Sequence, residues 1–173
     1  MNIYDRYNSL LKILPNLKNT KYSFVPNSEK DTRNCISASL NIPSPWIWPN
    51  YNGYERDDDS SHAGFWPRTL SNDTTLENFL NMYKLFGFEQ TDNSEYEDGY
   101  WKNVIYGQDK NNITHAAHIL KDGSYVSKLG TGPMIVHEPK AIEGDIYGHI
   151  ITYVKQKLPL DKQKFLEIIV NNS

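Results

Sequence analysis

Cys35 is the single cysteine of this chain, and it is joined by five histidines, His62, His115, His118, His137 and His149. A polar stretch, PNSEKDTRN, runs into Cys35, and the short run CISASL follows before NIPSP closes it. This spacing predicts a thiol at the start of a helix of one or two turns, where backbone N–H groups and the helix dipole favour a thiolate. A nucleophilic thiol also needs an imidazole within hydrogen-bond reach and a third polar group to orient that imidazole. His115 is the expected base. It begins the strand-like run ITHAAHIL, and Ala116 and Ala117 beside it leave room for a helix to approach. Side chains alternate along a strand, so His118 is expected on the other face.

The third member depends on the hairpin around Lys121-Asp122-Gly123. A two-residue turn places Ser127 opposite His118 and Lys128 on the His115 face. A three-residue turn with a glycine bulge places Ser127 opposite Ala117, diagonal to His115. Both turns are common, and Ser127, Asn34 or a backbone carbonyl remain candidates to orient the ring. Two rival readings stand beside this one. A lone cysteine also serves as a small buried hydrophobe. His115, His118 and His137 also suggest a metal cluster, but HAAH on a strand does not converge on one face, so no metal and no cofactor are expected.

These residues must be carried by ordered elements. Ile3, Tyr7, Leu10, Leu11 and Leu14 have helical spacing over 3–14, and Pro15 ends it. YSFV, 22–25, reads as a short strand. From Pro43 to Pro67 the chain reads as a long aromatic loop, with Trp46, Trp48 and Trp66 expected to wall a cleft and Asp57-Asp58-Asp59 to mark its exposed tip. The clearest helix covers 74–86, with Thr74 and Glu77 as a capping box and Gly87 as the stop. Strands are expected at 102–107, 113–120, 124–129 and 147–155, and a closing helix at 161–170 with Phe165, Leu166 and Ile169 inward. Helices followed by a run of adjacent antiparallel strands give an α+β class, in one domain spanning 1–173.

Composition bounds the function. Hydrophobic residues make up 38% of the 173 and aromatics 13%, which suits a folded core rather than a disordered chain. A net charge of -3 without a basic stripe argues against a general nucleic-acid binder. No run is long and apolar enough to span a membrane, and the first residues do not read as a signal peptide. The expected location is cytoplasmic, or wherever a secretion system delivers a chain without a cleavable signal.

NCISASL, THAAHIL, KDGSYVSKLG and IEGDIYGHI, in this order, resemble a family of uncharacterised bacterial proteins with NCIAxAL, THAA and SKLG motifs. The likeness runs from about Phe24 to about Val154. Ser37, Ser39, Tyr125 and His118 depart from the family pattern, mostly at packing positions. Cysteine on a helix followed by histidine at a strand start also resembles papain-like hydrolases of the NlpC and CHAP kind, a fold-level analogy. It implies N-terminal helices packed on an antiparallel sheet.

The expected function is a cysteine hydrolase or acyltransferase of the peptidase or amidase type, acting on an amide or ester. Cys35 would attack, His115 would act as base and then acid, and Ser127 would orient it. The Cys35 N–H with a donor from the 29–34 loop would hold the oxyanion. Asn34, Trp46, Trp48 and Trp66 are the expected substrate contacts, and the substrate is protein- or peptide-like, peptidoglycan and isopeptides included. The alternative is a binding module, a toxin-neutralising or defence-associated partner, with Cys35 buried far from His115. The oligomeric state is open.

Overall fold

The structure is a computed structural model and describes residues 3–56 and 63–173. Helix α1 covers Ile3–Ile13, and Pro15 then opens a 3-10 turn. Strand β1 is Tyr22–Phe24 and helix α2 is Cys35–Ser39. The expected aromatic loop instead holds three short strands, β2 (Trp46–Ile47), β3 (Gly53–Arg56) and β4 (Ala63–Trp66), paired in the order β2-β4-β3. Its acidic run Asp57–Asp59, like His62, lies outside the described residues.

Helix α3, Leu76–Leu85, is capped by Thr75 and not by Thr74: the Thr75 hydroxyl accepts the Asn78 N–H at 3.3 Å. Strands β5 (Glu89–Thr91), β6 (Tyr100–Asp109), β7 (Asn112–Ile119), β8 (Tyr125–Lys128), β9 (Met134–His137) and β10 (His149–Lys157) follow, and helix α4, Lys162–Asn171, closes the chain. Phe165 and Ile169 of α4 are buried as expected, whereas Leu166 is 48% exposed. One seven-stranded sheet runs in the order β1-β9-β8-β7-β6-β10-β5, and every pairing in it is antiparallel. The class is therefore α+β.

The sheet divides the interior into two cores. On one face Cys35 and Ile36 of α2 and Leu40, which ends it, join Phe79, Met82 and Tyr83 of α3 and Phe165 of α4 over Ile105, Ala116 and Val154. On the other, Leu10 of α1 and Leu14 just after it join Ala141 and Ile142 over Val104, Tyr106, Ala117 and Ile119. Burying each large apolar side chain in such a core stabilises the fold by roughly 1.5–3 kcal/mol. None of the described helices is long and apolar enough to cross a membrane.

The β7–β8 hairpin takes the three-residue turn. Leu120 N–H reaches Ser124 O at 2.8 Å, Gly123 adopts φ +83°, and His118 pairs with Val126. Ladder pairing between β7 and β8 ends there, at His118–Val126. On the other side of β7 the register against β6 shifts between Tyr106–His115 and Gly107–Ile113, leaving Thr114 as the extra residue of a bulge. A pocket opens at this end of β7.

Candidate functional site

The position of Cys35 is fixed by Asn34. The Asn34 Oδ1 accepts the Ser37 N–H at 3.0 Å and the Ser37 hydroxyl at 2.8 Å, which caps α2. The same side chain donates to Ile47 O at 2.9 Å and accepts the Ile47 N–H at 3.3 Å. Asn34 is thus a strut between α2 and β2, with its amide engaged inside the protein. Its amide is therefore not the group that orients His115, although Asn34 also borders the pocket that Cys35 lines. Ser37 also bonds Pro45 O, and the Trp46 indole N–H bonds Thr32 O, so the aromatic segment is moored at its root.

Cys35 is 6% exposed. Its sulfur receives backbone N–H groups from Ala116, Ile36 and Cys35 itself, but burial dominates and pushes the thiol up to about 11. The depressed thiol expected from the helix start is therefore corrected, because desolvation of a thiolate outweighs the donors of one short helical turn. Lys128 adds a weak opposing pull. Its buried ammonium donates to Gly130 O at 2.7 Å and Gly132 O at 2.6 Å.

His115 lies on the opposite face of β7 from the one that α2 covers. Ala116 packs with Cys35 and Ile36, and His118 stacks on Trp101 at 3.6 Å, whose indole N–H donates to Ser39 O of α2. His118 Nδ1 also lies 2.9 Å from Lys102 O. His115 instead packs against Tyr147 at 4.2 Å and Tyr106 at 5.8 Å. The two functional candidates nevertheless line one pocket of about 260 Å³, together with Trp46, Trp48, Tyr51, Thr114 and Tyr147. It lies beside the Thr114 bulge and beyond the last β7–β8 pair, where side chains from both faces reach one opening.

Within that pocket His115 is 1% exposed, and neither ring nitrogen has a hydrogen-bond partner among the described residues. Burial holds it neutral, down to about 3. Cys35 and His115 are thus brought together as neutral thiol and neutral imidazole, without a hydrogen bond between them.

Ser127 does not orient His115. It occupies the register diagonal to that ring, but its hydroxyl bonds His137 Nε2 at 2.7 Å, while His137 Nδ1 donates to Glu138 O at 2.7 Å. Trp46 and Trp48 line the pocket, whereas Trp66 is fully buried, packs edge-on to Phe79 and donates to Ser71 O at 2.9 Å. Trp66 is a core residue and not a substrate contact. Among the described residues no group of His, Cys, Asp and Glu is placed to hold a metal.

Tyr147 was not singled out from the sequence, although it belongs to the IEGDIYGHI run. The backbones of Gly144 and Gly148 exchange hydrogen bonds at 2.9 and 2.7 Å, closing a loop that presents Tyr147 to His115. Its carbonyl accepts the Thr114 hydroxyl at 2.6 Å. Gly148 has φ +70°, and a Cβ there would lie 2.0 Å from Gly107 O, so only glycine lets the loop seat. Tyr51 reaches the pocket for a similar reason: a Cβ on Gly64 would lie 1.9 Å from its ring.

A short capped helix delivering a thiol to a pocket shared with a buried, unpartnered histidine, on an α+β scaffold, is the class that fold and site define. The chain belongs to the family described as Domain of unknown function (DUF7689), whose model matches residues 25–155. No curated protein and no solved structure matches the chain.

Proposed function

We propose that this protein is a papain-like cysteine hydrolase or acyltransferase that forms an acyl-thioester on Cys35. The observation that carries the reading is His115, fully buried, with both ring nitrogens unpartnered, lining the same small pocket as the only thiol. A buried polar group without a partner costs about 1–3 kcal/mol, and of the described residues that carry such a group His115 is the one that lines the thiol pocket. Because both groups rest neutral, the thiol proton moves to His115 as the sulfur attacks, in general-base fashion, and not from a preformed ion pair. The two need to close on each other only when substrate fills the pocket, as catalytic contacts often tighten in the complex. The N–H groups around the sulfur are the donors nearest a developing oxyanion.

The test is trapping of an acyl adduct. Incubation with an activated ester should add one acyl group at Cys35 by mass spectrometry. Cys35→Ala should abolish the adduct, and His115→Ala should slow its formation by about 10²–10⁴-fold. An adduct that forms equally fast without His115 removes that residue from the mechanism.

The second reading is a non-catalytic binding module, and the raised thiol and the missing Cys35–His115 hydrogen bond favour it. Under it, no ester acylates Cys35 in the native state, and Trp46 and Trp48 serve a partner's surface.

A further inference from the structure

A second, larger concavity adjoins the thiol pocket. It encloses about 780 Å³ between α1, residues 24–27 and the turn 129–133, and Tyr147 forms a wall of both spaces. This volume falls within the roughly 300–1,000 Å³ of small-molecule sites. No charged side chain lines it. Its walls are chiefly Leu10, Ile13, Leu14, Phe24, Leu129 and Ile146. Ile13 and Ile146 are 51% and 47% exposed, so part of this apolar surface faces solvent.

We propose that this groove is the acyl-chain subsite of the Cys35 centre, so that the substrate is an ester or thioester of a medium or long alkyl chain. The inference rests on the proposed thiol chemistry and adds its substrate class. Two features of the groove select an alkyl chain over an extended peptide. The wall N–H groups of Leu14, Val25, Leu129 and Gly132 are already bonded to protein carbonyls, and Pro26 and Pro133 have none. Ser9, Asn27 and Thr131 are, Tyr147 apart, the polar side chains of the lining, too few to replace the water lost by an extended peptide backbone, whereas an alkyl chain needs no hydrogen bond. Tyr147 borders both spaces, and Gly130 of the thiol pocket lies between Leu129 and Thr131 of the groove, so a chain that reaches the groove passes Tyr147. In the acylation step the Cys35 sulfur forms a bond to the carbonyl carbon and the carbon–oxygen or carbon–sulfur bond to the leaving group breaks. The thiol proton passes through His115 to that leaving group. Water or an acceptor then takes the acyl group, and the thiol is restored.

The experiment compares acylation of Cys35 by p-nitrophenyl acetate, butyrate and octanoate in the full chain, with dodecanoate binding to Cys35→Ser followed by calorimetry. Each buried methylene is worth about a fourfold gain. Octanoate has four more methylenes than butyrate, so a rise of about 250-fold in kcat/KM is expected when all four are buried. Ile13→Asp and Ile146→Asp, at half-exposed positions that tolerate a charge, should remove that preference, read as the ratio of octanoate to acetate rates. Dodecanoate binding that either variant weakens supports the groove even where no ester acylates Cys35, an outcome that sinks the thiol chemistry alone. Acylation independent of chain length, or absence of dodecanoate binding, overturns the proposal, as does a leucine-rich peptide ester that reacts faster than octanoate.

Discussion

At the scale of single residues, the site is governed by desolvation. Cys35 is held up near 11 and His115 down near 3, so near neutral pH neither is charged. Iodoacetamide should therefore label the folded protein more slowly than free cysteine near neutral pH, with the rate climbing toward pH of about 11 as the thiolate forms. Fast labelling at mildly acidic pH would indicate a preformed ion pair and overturn the neutral-pair mechanism. His115 offers a second readout. Replacing an unpartnered buried imidazole by Leu removes its desolvation cost, so His115→Leu should leave stability unchanged or raised in urea unfolding while abolishing acylation. A loss of about 2 kcal/mol or more would assign the ring a structural role instead.

Elements, not single side chains, place the reacting groups. The Asn34 strut joins α2 to β2, and the Gly144–Gly148 loop presents Tyr147. Asn34→Ala should cost about 1–2 kcal/mol for the lost cap, and it should slow acylation by releasing both Cys35 and the Trp46 segment. Two of the three tryptophans of the aromatic segment, Trp48 and Trp66, separate cleanly. Trp66→Ala should destabilise by about 3–5 kcal/mol because it empties the core beside Phe79. Half-buried Trp48, which packs edge-on to Phe79 at 5.3 Å and lines the pocket, should lose less stability on change to Ala and more activity. Urea titrations and ester kinetics on the two variants check this; equal effects on both would erase the distinction.

For the whole molecule, acid sensitivity follows from the sheet. His115 and His137, buried, and His118, half-buried, lie in or beside it and are held down, to about 3, 4 and 4 respectively, chiefly by desolvation. Near neutral pH both folded and unfolded states keep these rings neutral. As pH falls through the unfolded value of about 6.5, the unfolded chain takes up protons that the folded one refuses. Stability is therefore lost between about pH 6.5 and about pH 4, by about 1 kcal/mol per pH unit for each ring. Unfolding free energies across that range should show this slope, and His118→Gln should reduce it by about one third. A flat profile would mean that the rings are solvated in the folded state.

The residue order alone determined much of the scaffold. Hydrophobic period and turn chemistry located five of the seven strands of the main sheet, β1, β6, β7, β8 and β10, and helices α1, α3 and α4 to within a few residues. They also marked Cys35 at a helix start and His115 near the head of a strand. Strands β5 and β9 were not legible: β5 is three residues long, and EQT and MIVH lack the bounded alternation that marks a strand. Both hairpin registers were open because two- and three-residue turns suit the same Asp-Gly pair. Only the folded sheet put Ser127 diagonal to His115, and only the position of β9 gave its hydroxyl to His137. The bulge at Thr114 and the end of β7–β8 pairing let Cys35 and His115 share a pocket from opposite faces of β7, which alternation by itself forbids. Tertiary structure also set the proton positions, since the cost of charging a thiol or an imidazole depends on how much of the chain surrounds it.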